Sequence, residues 1–387
     1  METGTSQMKQ TPIVSPDDQK VTFVELFFDL VFVFSVTQVV SLLHKDLSWI
    51  TVGQAILVFW LVWWGWGQFT WALNAANTTH HFVQIAVLMA AAIALFMGIS
   101  LPGAFQDRAL WFAISYILVR LIGLILFSLV SLEDPAMRGA VRTWTLLSIT
   151  GIIAIVAGGY MGGAAQYVLW GLAIVLDIFA ANVSGQAEGW KIQPDHFSER
   201  HGLFVIIALG ETLIVAASEV TEAILTFNLV VVGVLVVAIT CALWWSYFVR
   251  AKPVLDHALK SSQGGKRSTM ARDVYSMLHF PMLFGVIAYA ALVEEAVADP
   301  GEPLPLAGRA MLALAVVLFV GGMAVALWRA TGNPVWARAI LIIATAMAIM
   351  AVAGVSTAVS LGIALSGILA IIVLEQRARS LVGAERA

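Results

Sequence analysis

Long apolar runs separated by short polar segments fill most of the chain. A membrane-spanning helix needs about 20 mostly apolar residues, because a rise of 1.5 Å per residue must cover roughly 30 Å of hydrocarbon. Only the segment from Gly354 to Thr357 separates the last two runs, so a re-entrant hairpin is an alternative there. The pattern predicts twelve transmembrane helices, at approximately 22–44, 52–74, 82–102, 108–131, 142–160, 164–182, 201–219, 228–250, 274–296, 308–329, 336–353 and 357–375.

The residues within the runs argue against two other interpretations. Strands of a membrane barrel alternate polar and apolar residues, and the run from Leu57 to Trp66 has no such alternation. The first run is not expected to be a cleaved signal peptide, because it contains Glu25 and Asp29 and no small-residue cleavage site follows. Residues 1–20 are polar and contain two prolines, so we expect them to form a disordered tail.

The amino-acid composition also indicates a membrane protein. Hydrophobic residues make up 60% of the 387 residues and charged residues 12%, against roughly 45–50% and about 25% in soluble domains. The mean hydropathy is +0.90. These values exclude a soluble or disordered protein and predict an all-α integral membrane protein that contacts the lipid bilayer. The net charge of −3 gives no reason to expect a nucleic-acid partner, and the single cysteine, Cys241, excludes an internal disulfide.

Basic residues are distributed unevenly between alternate loops. With the N-terminus in the cytoplasm, 17 of the 21 Lys and Arg residues fall on the cytoplasmic side. Lys45, Arg108 and Arg309 fall on the other side, and Arg120 lies deep within a span. Because positively charged loops stay in the cytoplasm, we expect a protein of the cytoplasmic (inner) membrane with both termini cytoplasmic.

Short motifs recur at a spacing near half the chain. Their offsets rise in order from 173 to 201 residues, as longer loops in the second half would produce. They predict two six-helix repeats, at 21–190 and 191–387, in parallel orientation because each repeat has an even number of spans. The matching pairs are Trp63-Trp64 with Trp244-Trp245, His81-Phe82 with His279-Phe280, Arg108-Ala109-Leu110 with Arg309-Ala310-Met311, and Glu25 to Gln38 with Ser198 to Glu211.

Polar side chains inside the spans are candidates for function, because a charge at the bilayer centre costs between about 2.5 and well over 10 kcal/mol. Glu25 and Asp29 are four residues apart and therefore share one helix face. Gln38 falls on the opposite face of the same helix. Arg200 and Glu211 share a face in span 7, but they are roughly 16 Å apart along its axis and cannot pair directly.

Arg120 is the expected counter-ion for one of the deep acids, Asp29, Asp177 or Glu211. Three deep acids against one base form a set whose chemistry suits proton or cation coupling. The alternative is structural: Glu25, Glu199 and Arg200 lie at span entrances, where they would anchor helices close to water.

The histidines and tryptophans give weaker signals. His279 is expected to be a packing or hydrogen-bonding histidine, and no metal site or cofactor is predicted. The tryptophans of the second span are expected to face lipid or the membrane interface: Trp60, Trp63, Trp64, Trp66 and Trp71.

Two longer motifs resemble the signatures of a known family. The stretch from Val24 to Gln38, VELFFDLVFVFSVTQ, resembles the opening signature of the bacterial low-temperature-requirement A family. The stretch from Glu199 to Glu211, ERHGLFVIIALGE, which includes His201, is similar to its second signature. The resemblance extends from about residue 20 to 376. It implies a bacterial multi-pass membrane protein linked to growth in the cold, and it implies no known biochemical activity.

These patterns leave two functions open. The first is transporter-like permeation of a small ion or solute, with proton or cation coupling as one mode. The second is a non-transporting membrane protein that senses or maintains bilayer state in cold or stress adaptation. An enzyme is not expected, because the sequence contains no GxSxG, HExxH or P-loop motif. A homo-oligomer is compatible with either function.

Overall fold

A computed structural model describes residues 12–45, 48–185, 189–221, 224–333 and 335–384. Eleven of its helical segments are long and apolar enough to cross a membrane, which confirms the all-α membrane class. The helices are α1 (Phe23–Lys45), α2 (Trp49–Ala75), α3 (His81–Ser100), α4 (Ala109–Glu133), α5 (Arg138–Met161), α6 (Gly163–Gly185), α7 (Pro194–Thr221), α8 (Phe227–Trp245), α9 (Lys252–Ser261), α10 (Gly264–Met270), α11 (His279–Ala298), α12 (Leu306–Thr331), α13 (Trp336–Ala351) and α14 (Thr357–Ala384).

Two pairs of these helices form continuous rods. A π-helical turn at Ser246–Ala251 joins α8 to α9, and a second at Ala271–Met277 leads from α10 into α11. The rods cover Phe227–Ser261 and Gly264–Ala298, with 35 residues each. A rod of that length measures about 52 Å, which exceeds the roughly 30 Å of a hydrocarbon core. The α9–α10 end of this hairpin therefore extends beyond the apolar layer.

The last two helices form a full antiparallel hairpin, not a re-entrant one. α13 has 16 residues, which is short for a span. It nevertheless runs back along α12, since Arg309 near the start of α12 donates to the Met350 carbonyl near the end of α13 at 3.2 Å. α14 then returns, and Glu375 near its end forms an ion pair with Arg338 near the start of α13. The described chain thus makes twelve helical passes, eleven of them of full span length.

The segment before α1 is ordered from residue 12 onward, contrary to the expected disordered tail. The Ser15 amide donates to the Ala75 carbonyl at 2.8 Å, and Gln19 Nε2 donates to the Leu73 carbonyl at 3.0 Å. These bonds satisfy carbonyl groups that the end of α2 leaves without helical partners. Residues 1–11 of the predicted tail lie outside the described residues.

α2 lies inside the bundle, and the prediction that its tryptophans face lipid is wrong. Trp60, Trp63, Trp64 and Trp66 are at most 7% exposed. The helix packs against α1, α4, α6, α7 and α11, so little of its surface is left for lipid. A helix that is apolar all round is typical of such a buried position.

Glycine pairs permit close packing at several helix contacts, as expected for membrane bundles. A Cβ added at Gly285 of α11 would lie 2.7 Å from the backbone nitrogen of Phe319 in α12. Added Cβ atoms at Gly158 and Gly159 would also meet neighbours at 2.7 Å. Gly321 does not serve this purpose, because a Cβ there meets no atom within 4 Å.

The contact between α1 and α7 joins the two predicted halves of the chain. α1 packs against α2, α3, α7 and α11, and α7 is the first helix of the predicted second half at 191–387. The division of the chain at residue 190 and the internal repeat stay predictions. The polar residues of both signature stretches meet at this contact.

Candidate functional site

Two carboxyl groups of α1 converge on one guanidinium of α7. Asp29 Oδ1 forms an ion pair with Arg200 Nη2, and Glu25 Oε1 lies 3.7 Å from Arg200 Nη1. All three side chains are fully buried. The four-residue spacing therefore places both acids on one helix face, as predicted, and this face meets α7. We refer to Glu25, Asp29 and Arg200 as the α1–α7 cluster.

The cluster is more deeply enclosed than the sequence indicated. Glu25 and Arg200 were expected close to water at span entrances. Glu25 does lie in the first turn of α1, but the expected closeness to water is wrong because neither side chain is exposed. α7 begins at Pro194, so Arg200 lies in its second turn. The guanidinium also lies over the Trp66 ring, with its central carbon 5.6 Å from the ring centroid, in the geometry of a cation–π contact.

His196, one turn before Arg200, lies between Asn74 of α2 and Glu25 of α1. Its Nδ1 lies 3.0 Å from Asn74 Nδ2, an amide nitrogen that can only donate. The orientation of the Asn74 amide is fixed, because its Oδ1 accepts from the Gln193 amide at 2.8 Å. His196 Nε2, on the other side of the ring, lies 3.0 Å from Glu25 Oε1. His196 therefore connects the cluster with the end of α2.

The two acids of the cluster differ in their hydrogen bonds. Glu25 Oε2 accepts from the Thr22 amide at 3.0 Å and from Thr22 Oγ1 at 2.9 Å. Asp29 Oδ1 accepts from Trp66 Nε1 at 2.7 Å. Asp29 Oδ2 and Glu25 Oε1 are both buried and have no hydrogen-bond partner among the described residues, although Glu25 Oε1 lies 3.0 Å from His196 Nε2. These two oxygens are the unpaired acceptors of the cluster, so each is a position for a further proton.

Charge is unbalanced in the α1–α7 cluster. When both acids are ionised, two carboxylates face one guanidinium. An uncompensated buried charge costs several kcal/mol, so the enclosed cluster is most stable when it holds one further proton or one monovalent cation. The arrangement is therefore chemically suited to the uptake and release of a single positive charge.

A second buried ion pair lies between α4 and α6. Arg120 Nη2 is 3.3 Å from Asp177 Oδ1, and Arg120 Nη1 donates to the Tyr116 hydroxyl at 2.8 Å. Arg120 therefore pairs with Asp177, and the alternatives that it neutralises Asp29 or Glu211 are wrong. This pair has one acid for one base, so it carries no excess charge.

His201 and His279 pack beside the cluster in an aromatic group. Their ring centroids are 5.4 Å apart, and both are buried. His279 Nδ1 donates to the Val274 carbonyl at 2.9 Å, and its Nε2 accepts from the Tyr247 hydroxyl at 2.7 Å. His279 is thus a hydrogen-bonded packing histidine. In the described chain, no group of three His, Cys, Asp or Glu side chains could hold a metal ion.

The remaining sequence candidates lie outside the cluster. Glu211 is half-buried and accepts from Thr37 Oγ1 of α1 at 2.8 Å. The side chains of Glu211 and Arg200 both contact α1. This agrees with the prediction that they share one face of α7. Gln38 is half-buried, and no hydrogen bond or ion pair connects it with the cluster in the described part of the chain. Glu199 is exposed, which fits the anchoring role.

Sequence reasoning missed three residues that complete the two charged groups. His196 and Tyr116 each precede an arginine by four residues, a spacing that puts both side chains on one helix face. This four-residue spacing before Arg200 and before Arg120 can be recognised in the sequence. Trp66 gave no signal, because hydropathy does not show which neighbour a tryptophan meets.

Comparison with known proteins identifies the family. The sequence profile of the bacterial low temperature requirement A protein (LtrA) matches residues 20–374. The chain belongs to the LtrA family. An uncharacterized protein of Rhizobium meliloti (strain 1021) is 30% identical over 305 residues, which are 73% of this chain and 71% of that relative. No solved structure matches the chain significantly.

Family membership confirms the resemblance of the two signature stretches. The matched region contains all of α1 and α7, and with them the whole α1–α7 cluster. In this LtrA protein the first signature supplies both acids, and the second supplies the arginine that pairs with them. The two stretches thus form a single physical site.

Proposed function

We propose that this LtrA protein carries a small ion or solute across the cytoplasmic membrane by transporter-like permeation, with the α1–α7 cluster as its coupling element. One observation supports this most strongly: two fully buried carboxyl groups share one guanidinium. Burial of such groups is costly, and packing alone does not require them. Transporters built from repeats place their coupling sites between the repeats, which matches the contact of α1 with α7.

The proposed coupling uses the excess charge of the cluster. With a proton on Asp29 the cluster is neutral, and the contact between α1 and α7 is stable in its dry form. Loss of that proton leaves a buried negative charge, which favours an arrangement that admits water or a cation. A change of protonation thereby shifts the balance between two arrangements of the helices.

This mechanism needs no covalent chemistry and no cofactor. We accordingly propose that the protein is not an enzyme, and that its partners are the lipid bilayer and a small ion or solute. The cytoplasmic membrane of a bacterium is the proposed location, since the family is bacterial.

Replacement of Asp29 by asparagine is expected to abolish proton-coupled flux in proteoliposomes and to leave the protein folded. The amide cannot take up a proton, and the remaining pair of Glu25 and Arg200 is balanced in charge. Proton and cation flux would be measured with and without a pH gradient, together with the melting temperature. Glu199→Gln is the matched control, because Glu199 adjoins Arg200 but is exposed; its flux should equal that of the wild type.

Two results would contradict the proposal in different ways. Undiminished gradient-driven flux in Asp29→Asn would exclude Asp29 as the coupling group. Absence of proton or cation flux in folded wild-type protein would favour the alternative, a non-transporting protein that senses or maintains bilayer state.

We also propose that both termini are cytoplasmic, from the distribution of 17 basic residues against three. The start of α7 and the end of α9 lie at the same end of the bundle, because Lys260 Nζ is 2.6 Å from Asp195 Oδ1. Reporter fusions at residues 135 and 260 should therefore give a cytoplasmic signal, and a fusion at residue 300 an exterior one. An exterior signal at residue 260 would overturn this topology.

A further inference from the structure

An open groove lies on the surface of the bundle, between the π-helical turn before α11 and the last turns of α12. Its volume is about 440 Å³, within the range of small-molecule sites. Its apolar walls are Met277, Leu278, Val325 and Trp328. Val325 is 44% exposed and Trp328 is 54% exposed, so molecules around the bundle have direct access to the groove. The π-helical turn at Ala271–Met277 forms part of one wall, and such turns are frequently found at functional sites.

Charged side chains at one end of the groove carry an excess positive charge. Asp273 Oδ1 lies 2.8 Å from Arg272 Nε and 2.6 Å from Arg272 Nη2. Asp273 Oδ2 lies 3.0 Å from Arg329 Nε and 2.8 Å from Arg329 Nη2. One carboxylate thus serves two guanidinium groups, and Asp273 is the only acid among the described residues that line the groove. This end therefore favours an anion.

Arg329 is placed to bind that anion. Its side chain is 43% exposed, and two of its three nitrogens point to Asp273 Oδ2. The third nitrogen, Nη1, makes no hydrogen bond with the described part of the chain. Because Asp273 already holds the guanidinium in one position, little side-chain freedom is lost when Nη1 binds an anion.

The apolar part of the groove runs from Arg329 along α12. Val325 precedes Arg329 by four residues, so both side chains lie on one face of the helix. Gly321 lies one turn further along the same face, and a Cβ added there meets no atom within 4 Å. This face is therefore open beyond Val325, and a flexible hydrocarbon chain fits along it without displacing a side chain.

The position of the groove favours a lipid over a water-soluble anion. α12 ends at Thr331, so Trp328 and Arg329 lie in its last turn. Tryptophan is enriched at this level of a span, where it meets lipid headgroups. Arginine binds phosphate well, and basic pockets between transmembrane helices bind lipid headgroups. An apolar strip that starts at an exposed guanidinium thus matches a molecule with a phosphate at one end and a hydrocarbon chain at the other.

We propose that this groove binds an anionic phospholipid, with its phosphate on Arg329 Nη1 and one acyl chain along Val325 and Gly321. The single negative charge of such a lipid balances the excess charge of Arg272, Asp273 and Arg329. The inference does not depend on the proposed transport function, because lipid binding requires no gradient.

Two substitutions test the groove, and each has a matched control. Arg329→Gln removes the exposed guanidinium and leaves Asp273 in a balanced pair with its other arginine. Val325→Trp places a large ring in the apolar part of the groove. Arg142→Gln and Val175→Trp are the controls, because Arg142 and Val175 are exposed and lie outside the groove.

The test uses purified, delipidated full-length protein in detergent, and native mass spectrometry measures the affinity of the first bound lipid. Dioleoylphosphatidylglycerol is the anionic probe, and dioleoylphosphatidylcholine has the same acyl chains without a net charge. Glycerol 3-phosphate is the probe for a free phosphate. We expect phosphatidylglycerol to bind at least about fivefold more tightly than phosphatidylcholine, as the attraction of one basic residue implies. Glycerol 3-phosphate should bind more weakly than either lipid.

The variants identify where the lipid binds. Arg329→Gln should weaken phosphatidylglycerol binding about tenfold, because a hydrogen bond to a charged group is lost, and should remove the preference over phosphatidylcholine. Val325→Trp should weaken the binding of both lipids, and the two controls should bind as the wild type does. The melting temperature without lipid shows whether each variant is folded. If Arg329→Gln does not fold, Val325→Trp and the order of the three probes still decide the question.

Four outcomes would overturn the inference. They are equal affinity for the two lipids, unchanged phosphatidylglycerol affinity in either folded groove variant, an equal loss of affinity in Arg142→Gln, and binding of glycerol 3-phosphate as tight as that of phosphatidylglycerol. The last result would indicate a site for free phosphate. Flux is measured separately, so the failure of transport and the failure of this site are distinguishable.

Discussion

Arg200→Gln is expected to destabilise the protein by about 3–5 kcal/mol, the cost of leaving buried charges without their partner. The substitution leaves Glu25 and Asp29 facing each other with no guanidinium between them. Both acids are fully buried, so water cannot screen their repulsion. The measurement is the melting temperature and the yield of monodisperse protein in detergent.

A variant in which all three side chains of the α1–α7 cluster are neutral shows how much of the lost stability comes from charge and how much from packing. The triple variant Glu25→Gln, Asp29→Asn, Arg200→Gln should recover most of the lost stability, because a buried charge cluster can often be replaced by neutral groups without loss. Arg142→Gln, an exposed arginine, should stay within about 0.5 kcal/mol of the wild type. If the triple variant were no more stable than Arg200→Gln alone, the loss would come from packing and not from unpaired charge.

Asp177→Asn is expected to have a comparable effect, about 3–5 kcal/mol, because it strands the buried Arg120. The Tyr116 hydroxyl would remain bonded to the guanidinium, but it carries no charge. Thermal unfolding would be compared with that of Asp107→Asn, an exposed acid in the loop before α4. The double variant Arg120→Gln, Asp177→Asn should be more stable than the single one, and equal melting of the two would contradict an ion-pair role.

Much of the architecture could be predicted from the sequence because hydropathy directly reflects the lipid environment. The twelve passes and the shared face of Glu25 and Asp29 both depend on local spacing, which a sequence shows. The partner of Arg120 depends on which helices are neighbours. Asp29, Asp177 and Glu211 were equivalent candidates in the sequence, and only the packing of α4 against α6 selects Asp177.

The burial of Arg200 could have been predicted from a local signal. Proline is favoured in the first turn of a helix, and Pro194 begins α7. A helix start at Pro194 places Arg200 in the second turn, inside the bundle and not at its entrance. The order of residues 12–20 was harder to predict, because it depends on hydrogen bonds to the distant end of α2.

α13 is shorter than the hydrocarbon layer that a membrane-spanning helix must cross. Sixteen residues cover about 24 Å, against roughly 30 Å of hydrocarbon. The side chains of Trp336, Ile340, Ile343 and Met347 are between 57% and 72% exposed, so α13 presents an apolar face at the surface of the bundle. Where such a helix crosses a bilayer, thinning of the bilayer beside it costs fractions of a kcal/mol per Å of mismatch. Because acyl chains straighten and bilayers thicken on cooling, this elastic cost rises as the temperature falls.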